Sequence, residues 1–299
     1  MRDKECGVLK PKGKKRIAVL GDSFVTGLDV EDKEVLTEAM ENLLHDNWEV
    51  LNFGVNGFGP TQYFLLLKNR AINYQPDVVI MVIYIRNDFN DILGIFDWIQ
   101  GRRKPRAKFN KDGEIVFEDI PVPLPKPHDT NIRPLIGLAR SHLYNFICQR
   151  CFYQSDILHA PPEIRLCKKE CSNEVVEAYS RMRGLIKKTQ YFCHENNAEF
   201  LVVIAPTIIQ IYDNIYWNKI KKRYRLKDEE YDLFLPNKRI KQTCENLGIY
   251  VLDLAPSLKA CASSGEKVYS FVNQHWNNKG NRVAAGAIID YLMANNLEK

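Results

Sequence analysis

Five short apolar runs constrain this chain more than anything else in it. They cover residues 17–20, 50–53, 78–84, 200–205 and 250–254. Each is rich in Val, Ile and Leu and continuous rather than alternating, which predicts strands buried on both faces. Helical patterns separate them. Val35, Leu36, Ala39, Met40 and Leu43 fall on one helical face, and Tyr63, Phe64, Leu67 and Ala71 do so within 61–73. Val175, Tyr179, Met182, Ile186 and Cys193 mark the buried side of a helix that starts at Ser172 or Asn173. Ala284, Ala287, Ile288, Tyr291 and Leu292 mark the last one. Strand and helix in alternation make an α/β protein with a parallel sheet between two helical layers.

One region breaks the rhythm. From Leu93 to about Arg133 the chain is basic and then rich in proline, at Pro121, Pro123, Pro125 and Pro127. Inside it, Asp112-Gly113 lies between Lys108-Phe109 and Ile115-Val116-Phe117, the pattern of a small hairpin. We read residues 1–299 as a single domain with an insertion at about 93–171, lying over one end of the sheet. No apolar run approaches the ~18 residues of a membrane span. Residues 1–16 are polar, so no signal peptide is visible.

Composition excludes little else. The net charge of +5, from 42 basic and 37 acidic residues, is concentrated at 10–16, 102–108 and 219–225. No basic stripe interleaves with stacking aromatics, so nucleic acid is not an expected partner and solvated loops are the plainer account.

Chemistry-bearing residues collect where the strands end, which is where open α/β sheets bind ligands. The first run leads into Gly21-Asp22-Ser23. The second leads through Asn52 into Gly54-Val55-Asn56-Gly57, whose backbone can approach a ligand closely. The third leads into Arg86-Asn87-Asp88. Beyond the last run comes Asn273-Gln274-His275-Trp276-Asn277, and His275 is the only histidine we place at a strand-to-helix junction. His45, His128, His142, His159 and His194 fall in helices or in the insertion. Any one of these loops is explained by ordinary turn chemistry. Together Ser23, Gly57, Asn87 and His275 supply a nucleophile, two hydrogen-bond donors and a base, the set that acyl transfer requires.

These blocks resemble those of the SGNH, or GDSL-type, hydrolases. Gly21-Asp22-Ser23 is similar to the family's first block, Gly57 to its second, Asn87-Asp88 to its third and His275-Trp276-Asn277 to its last. The last block is similar to bacterial members with an Asp-any-His-Trp ending, a form shared with polysaccharide O-acetyltransferases. The resemblance implies a three-layer α/β/α sandwich with a flavodoxin-like sheet of five parallel strands. It implies Ser23 as nucleophile, His275 as base, and an oxyanion hole of the Ser23 and Gly57 N–H groups with the Asn87 side chain.

Two positions depart from the pattern. Asn273 stands where the family has aspartate; its amide oxygen can accept the imidazole N–H but cannot offset imidazolium charge. In a serine protease the equivalent change costs ~10⁴ in turnover. Arg86 replaces a common glycine, and either attracts an anionic substrate or folds onto Asp88 or Asp91.

The expected function is hydrolysis of a small acyl ester, carbohydrate O-acetyl among the candidates, with a small-molecule or glycan ester as partner and no cofactor. An O-acyltransferase with the same site, or a binding module disabled by Asn273, are the alternatives. Cys148, Cys151, Cys167 and Cys171 are spaced like a four-cysteine zinc site, but two disulfides or free thiols fit as well. The other four cysteines look isolated. The chain is expected to be soluble as given, and extracytoplasmic if a leader preceded Lys10-Pro11-Lys12-Gly13, because relatives of this type often carry one there. Its oligomeric state is not legible.

Overall fold

A computed structural model describes residues 6–28, 30–44, 47–93, 104–118 and 161–297. All five expected strands form: β1 (Lys15–Gly21), β2 (Trp48–Gly54), β3 (Val78–Tyr84), β6 (Glu199–Ala205) and β7 (Tyr250–Asp253). They pair in parallel in the order β2-β1-β3-β6-β7, which is the flavodoxin-like order. The chain leaves β1 for one side of the sheet and returns to the other through β3. A crevice therefore opens at the carboxyl ends of these two strands.

Burial accounts for the unbroken apolar runs. Ile17, Val19, Ile80, Val82, Leu201 and Val203 pack into one core with helices α2 (Leu36–Glu41), α9 (Ala255–Ser263) and α10 (Asn278–Ala294). Their neighbours Ala18, Leu20, Val79, Met81, Val202 and Ile204 pack into the other, against α3 (Pro60–Asn69), α5 (Asn173–Glu195) and α8 (Leu235–Asn246). Alternate residues point to opposite faces, and both faces are dry. This is a three-layer α/β/α sandwich.

The helices follow the expected faces with two local differences. Helix α2 stops at Glu41 and leaves Leu43 exposed, and a 3₁₀ turn (Ala71–Tyr74) replaces the end of the helix expected over 61–73. Ser172 caps α5 by accepting from the Val175 N–H. The hairpin forms as β4 (Arg106–Phe109) and β5 (Ile115–Glu118), with the Asn110 side chain accepting from the Asp112 and Glu114 N–H groups. It packs on the α3 and α5 layer: Phe117 stacks on Phe64 with ring centroids 5.2 Å apart. Ile115 fills the notch at Gly184, where a Cβ would sit 2.5 Å from it.

Arg16 corrects the picture of a solvated basic cluster. It is fully buried, its Nε 2.7 Å from Glu49 Oε2 and its guanidinium donating to the Gly7, Val8 and Tyr74 carbonyls. The delocalised guanidinium thus staples the N-terminal segment beneath β1. Among the described residues no helix is long and apolar enough to cross a membrane. Cys167, buried, and Cys171, half-buried, are free thiols. Cys148 and Cys151 lie outside the described residues.

Candidate active site

The turn after β1 is built to hold Ser23 still. The Asp22 carboxylate accepts the Phe24 N–H (2.9 Å) and caps a one-turn helix, α1 (Ser23–Thr26), which closes on Gly27 at φ 75°. The end of β2 presses on that turn, and a Cβ on Gly54 would lie 2.4 Å from the Thr26 nitrogen. Asn52 ties the two segments by donating to the Val25 carbonyl (2.8 Å) and accepting from the Gly54 N–H (2.9 Å).

Asn87 reaches the same place from β3. It lies in the first turn of α4 (Ile85–Leu93) and donates one amide N–H to Asp22 Oδ2 at 2.8 Å. The amide has a second N–H to offer. Gly57 approaches from the loop after β2 with φ 77°, a left-handed conformation that favours glycine. Neither the Ser23 nor the Gly57 backbone N–H donates to another described residue. Burial pushes the Asp22 carboxyl up to about 6, against the opposing hydrogen bonds from Asn87 and Phe24. Behind it Asp88 is fully buried, accepting from the Tyr63 hydroxyl and the Tyr84 N–H, both at 2.9 Å. Desolvation raises its carboxyl well above the usual range.

His275 arrives on a loop rather than at a strand end. Helix α9 intervenes between β7 and this loop, which corrects the expected strand-to-helix junction. Nε2 of His275 is 2.7 Å from Ser23 Oγ, and Nδ1 is 3.0 Å from the Asn273 backbone carbonyl. A carbonyl can only accept, so Nδ1 carries the proton and Nε2 faces the serine as acceptor. The Asn273 side chain does something else: its Oδ1 accepts the His275 backbone N–H at 3.1 Å. The expected amide-to-imidazole contact is therefore replaced by a main-chain one. Phe24 and the buried Trp276 wall the site, with Phe24 4.9 Å from each ring.

Ser23, Gly57, Asn87, Asn273 and His275 thus line one cavity of about 250 Å³. Arg86 lines it too. It donates to Gln274 Oε1 and lies 3.7 Å from Glu163 Oε2. The ion pair of Lys104 with Asp91, at 2.7 Å, was not foreseen from the sequence; it borders the cavity while Lys104 also holds the Gly57 carbonyl. Lys104 was visible only as one member of a basic run. Among the described residues no three His, Cys, Asp or Glu side chains gather to hold a metal ion.

The fold and this cavity define a class, the α/β/α proteins with a serine–histidine pair above a parallel sheet. The chain's C-terminal part is similar to the SGNH hydrolases. Residues 170–299 match the family described as the SGNH hydrolase-like domain of the acetyltransferase AlgX, a span that includes Asn273 and His275. Solved structures similar to the chain include a G-D-S-L lipolytic protein from Veillonella parvula, at 14% identity, covering 92% of this chain and 97% of that one with a TM-score of 0.48. A lipase/acylhydrolase from Enterococcus faecalis is 10% identical, covering 94% and 96%, with a TM-score of 0.49. An acetyl xylan esterase, AlAXEase, is 12% identical, covering 92% and 98%, with a TM-score of 0.49. A comparison with curated proteins finds no match.

Proposed function

We propose that the chain is a serine esterase that removes a small acyl group, carbohydrate O-acetyl foremost, through an acyl-enzyme on Ser23. The observation that carries this reading is the 2.7 Å contact between Ser23 Oγ and His275 Nε2, in an imidazole whose other nitrogen is held by a carbonyl. Ser23 Oγ attacks the ester carbonyl carbon as its proton passes to Nε2. The oxyanion that forms is met by the Ser23 and Gly57 N–H groups and the free Asn87 amide N–H. Collapse breaks the carbon–oxygen bond to the alcohol, which leaves with the proton from Nε2. Water then attacks the acyl-enzyme, again giving its proton to Nε2, and the carboxylic acid departs as Ser23 is restored.

Acetyl transfer is a second reading, favoured by the match to an acetyltransferase domain. It differs only in the second half, where a sugar hydroxyl replaces water. The reading as a disabled binding module loses its motive, since a main-chain carbonyl supports the ring whatever side chain occupies position 273.

The test is turnover of acetylated and longer-chain esters by wild type and Ser23→Ala, with and without sugar acceptors, alongside labelling by a fluorophosphonate. Wild type should release or transfer acetyl and label on Ser23, and the variant should do neither. A wild type that neither labels nor turns over any ester sinks the proposal.

A further inference from the structure

The oxyanion donor proposed at Gly57 sits on the softest backbone of the site. Glycine has no Cβ to restrict it, and the N–H at stake belongs to the peptide between Asn56 and Gly57. That peptide is the middle of a four-residue turn, Val55–Phe58, closed by the Phe58 N–H on the Val55 carbonyl at 3.0 Å. Gly57, its third residue, has the φ of 77° that a type II turn requires there. Turning the middle peptide over converts type II to type I and carries the Gly57 N–H to the opposite side of the turn. The direction of that donor therefore depends on what holds the peptides around it.

Both flanking peptides are anchored. Upstream, the Val55 N–H donates to the Gly21 carbonyl at 3.0 Å, which ties the turn to the end of β1. Downstream, the Gly57 carbonyl accepts from the Lys104 ammonium. This carbonyl and the Phe58 N–H are the two ends of one rigid peptide plane, so the plane is held from both sides. Lys104 itself is fixed. Its side chain is 14% exposed and pairs with Asp91, 4% exposed, at 2.7 Å. The same loop packs on Asp91, since a Cβ on Gly59 would lie 2.6 Å from the Asp91 Cβ. A second bond joins the two segments, from Gln62 Nε2 to the Pro105 carbonyl at 2.8 Å. Residue 104 lies two positions ahead of strand β4, so the anchor comes from the segment that leads into the hairpin and not from the sheet or its helices.

We infer that Lys104 is a positioning residue for the oxyanion hole. It acts through the Gly57 carbonyl on the neighbouring N–H, and it makes the inserted hairpin segment part of the working site. Gly57 and Asp91 together take two of its three N–H donors. The consequence for catalysis rests on the acyl-ester reading above, whereas the anchoring of the turn can be measured without turnover.

The test removes the anchor without stranding a charge. Lys104→Met alone would leave Asp91 buried without its partner, which is strongly destabilising, so it is combined with Asp91→Asn. Amide hydrogen exchange on phenylalanine-labelled wild type and double variant compares Phe58, which closes the turn, with Phe53, buried in β2. Exchange at Phe58 should quicken by ~10-fold in the variant, the worth of one charge-assisted hydrogen bond, with Phe53 unchanged. Turnover of p-nitrophenyl acetate should fall by ~10–10²-fold in kcat with KM little changed, because a displaced oxyanion donor is felt in the transition state. Unchanged exchange at Phe58 overturns the anchoring whatever the kinetics show. Quickened exchange with kcat unchanged, or a loss that falls on KM, overturns the positioning role. A wild type that turns over no ester overturns the Ser23 reading instead, and exchange at Phe58 still decides whether Lys104 holds the turn.

Discussion

Ser23 and His275 meet at 2.7 Å, yet they are supported in opposite ways. Ser23 is held by packing: a strand before it, a one-turn helix after it, and a glycine at 54 that lets β2 press against that helix. His275 hangs on the loop between α9 and α10, beside Phe271 and Val272, which are 43% and 83% exposed. That loop is held by main-chain bonds, from Ser270 N to the His275 carbonyl (2.8 Å) and from Gln274 N to the Ser270 carbonyl (3.0 Å), with Gln274 itself at φ 64°. Packing fixes Ser23, and backbone hydrogen bonding aims His275. The first arrangement is rigid by density, while the second depends on a few bonds that a single substitution can disturb.

The largest expected effects lie at the two residues themselves. If Ser23 and His275 act as one unit, as proposed, Ser23→Ala and His275→Ala should each lower kcat by ~10³-fold or more, and the double variant should fall little further. Additive losses would mean the pair is not coupled. Next comes Asn87, which belongs to the packed side. Asn87→Ala should cost ~10²–10³ in kcat with KM little changed, as for loss of one oxyanion donor. A loss confined to KM would assign Asn87 to substrate binding instead.

Asp22 sharpens the comparison, since it is the buried charge on which the rigid side is organised. Its folded-state pKa of about 6 lies above the ordinary 3.8. The folded protein keeps a proton that the unfolded chain releases across that window, so this group's contribution falls as pH rises from 3.8 to about 6, by roughly 3 kcal/mol at most. Asp22→Asn cannot titrate. It loses the acceptor for Asn87, a cost independent of pH, but its stability relative to wild type should rise by up to that amount between pH 4 and pH 7. Urea unfolding at several pH values measures this, and parallel stability curves would remove Asp22 as a strained acid.

What could be read from the sequence divides along the same line. The strands were legible because burial on both faces leaves continuous runs such as Val78–Tyr84. Ser23, Gly57 and Asn87 were legible because strand ends carry them to one crevice. His275 was found by residue type, but its setting was not, since nothing in its local pattern reveals that α9 intervenes. Lys104 and Asp91 are distant in sequence and meet only once the hairpin segment folds back. Arg16 looked like one more surface cation until β1 and the N-terminal segment closed around it. The partner of the imidazole was hidden for a simpler reason. Every residue has a carbonyl, and only the path of the loop decides which one points at Nδ1.

That last point yields the smallest predicted effect and the most direct test of the comparison. If a main-chain carbonyl holds His275, the identity of residue 273 matters only through the bond from the His275 N–H to Asn273 Oδ1. Losing such a bond costs ~1 kcal/mol. Asn273→Ala should therefore slow turnover by no more than about 10-fold, against the ~10⁴ that follows when a triad acid is disabled in a serine protease. Asn273→Asp keeps an acceptor for the N–H and should leave kcat within about 3-fold, because one such bond is worth ~1 kcal/mol and the carboxylate replaces it. A rise of ~10²-fold or more in the aspartate variant would show that the side chain, not the main chain, is what the imidazole reads, and the contrast between the two supports would collapse.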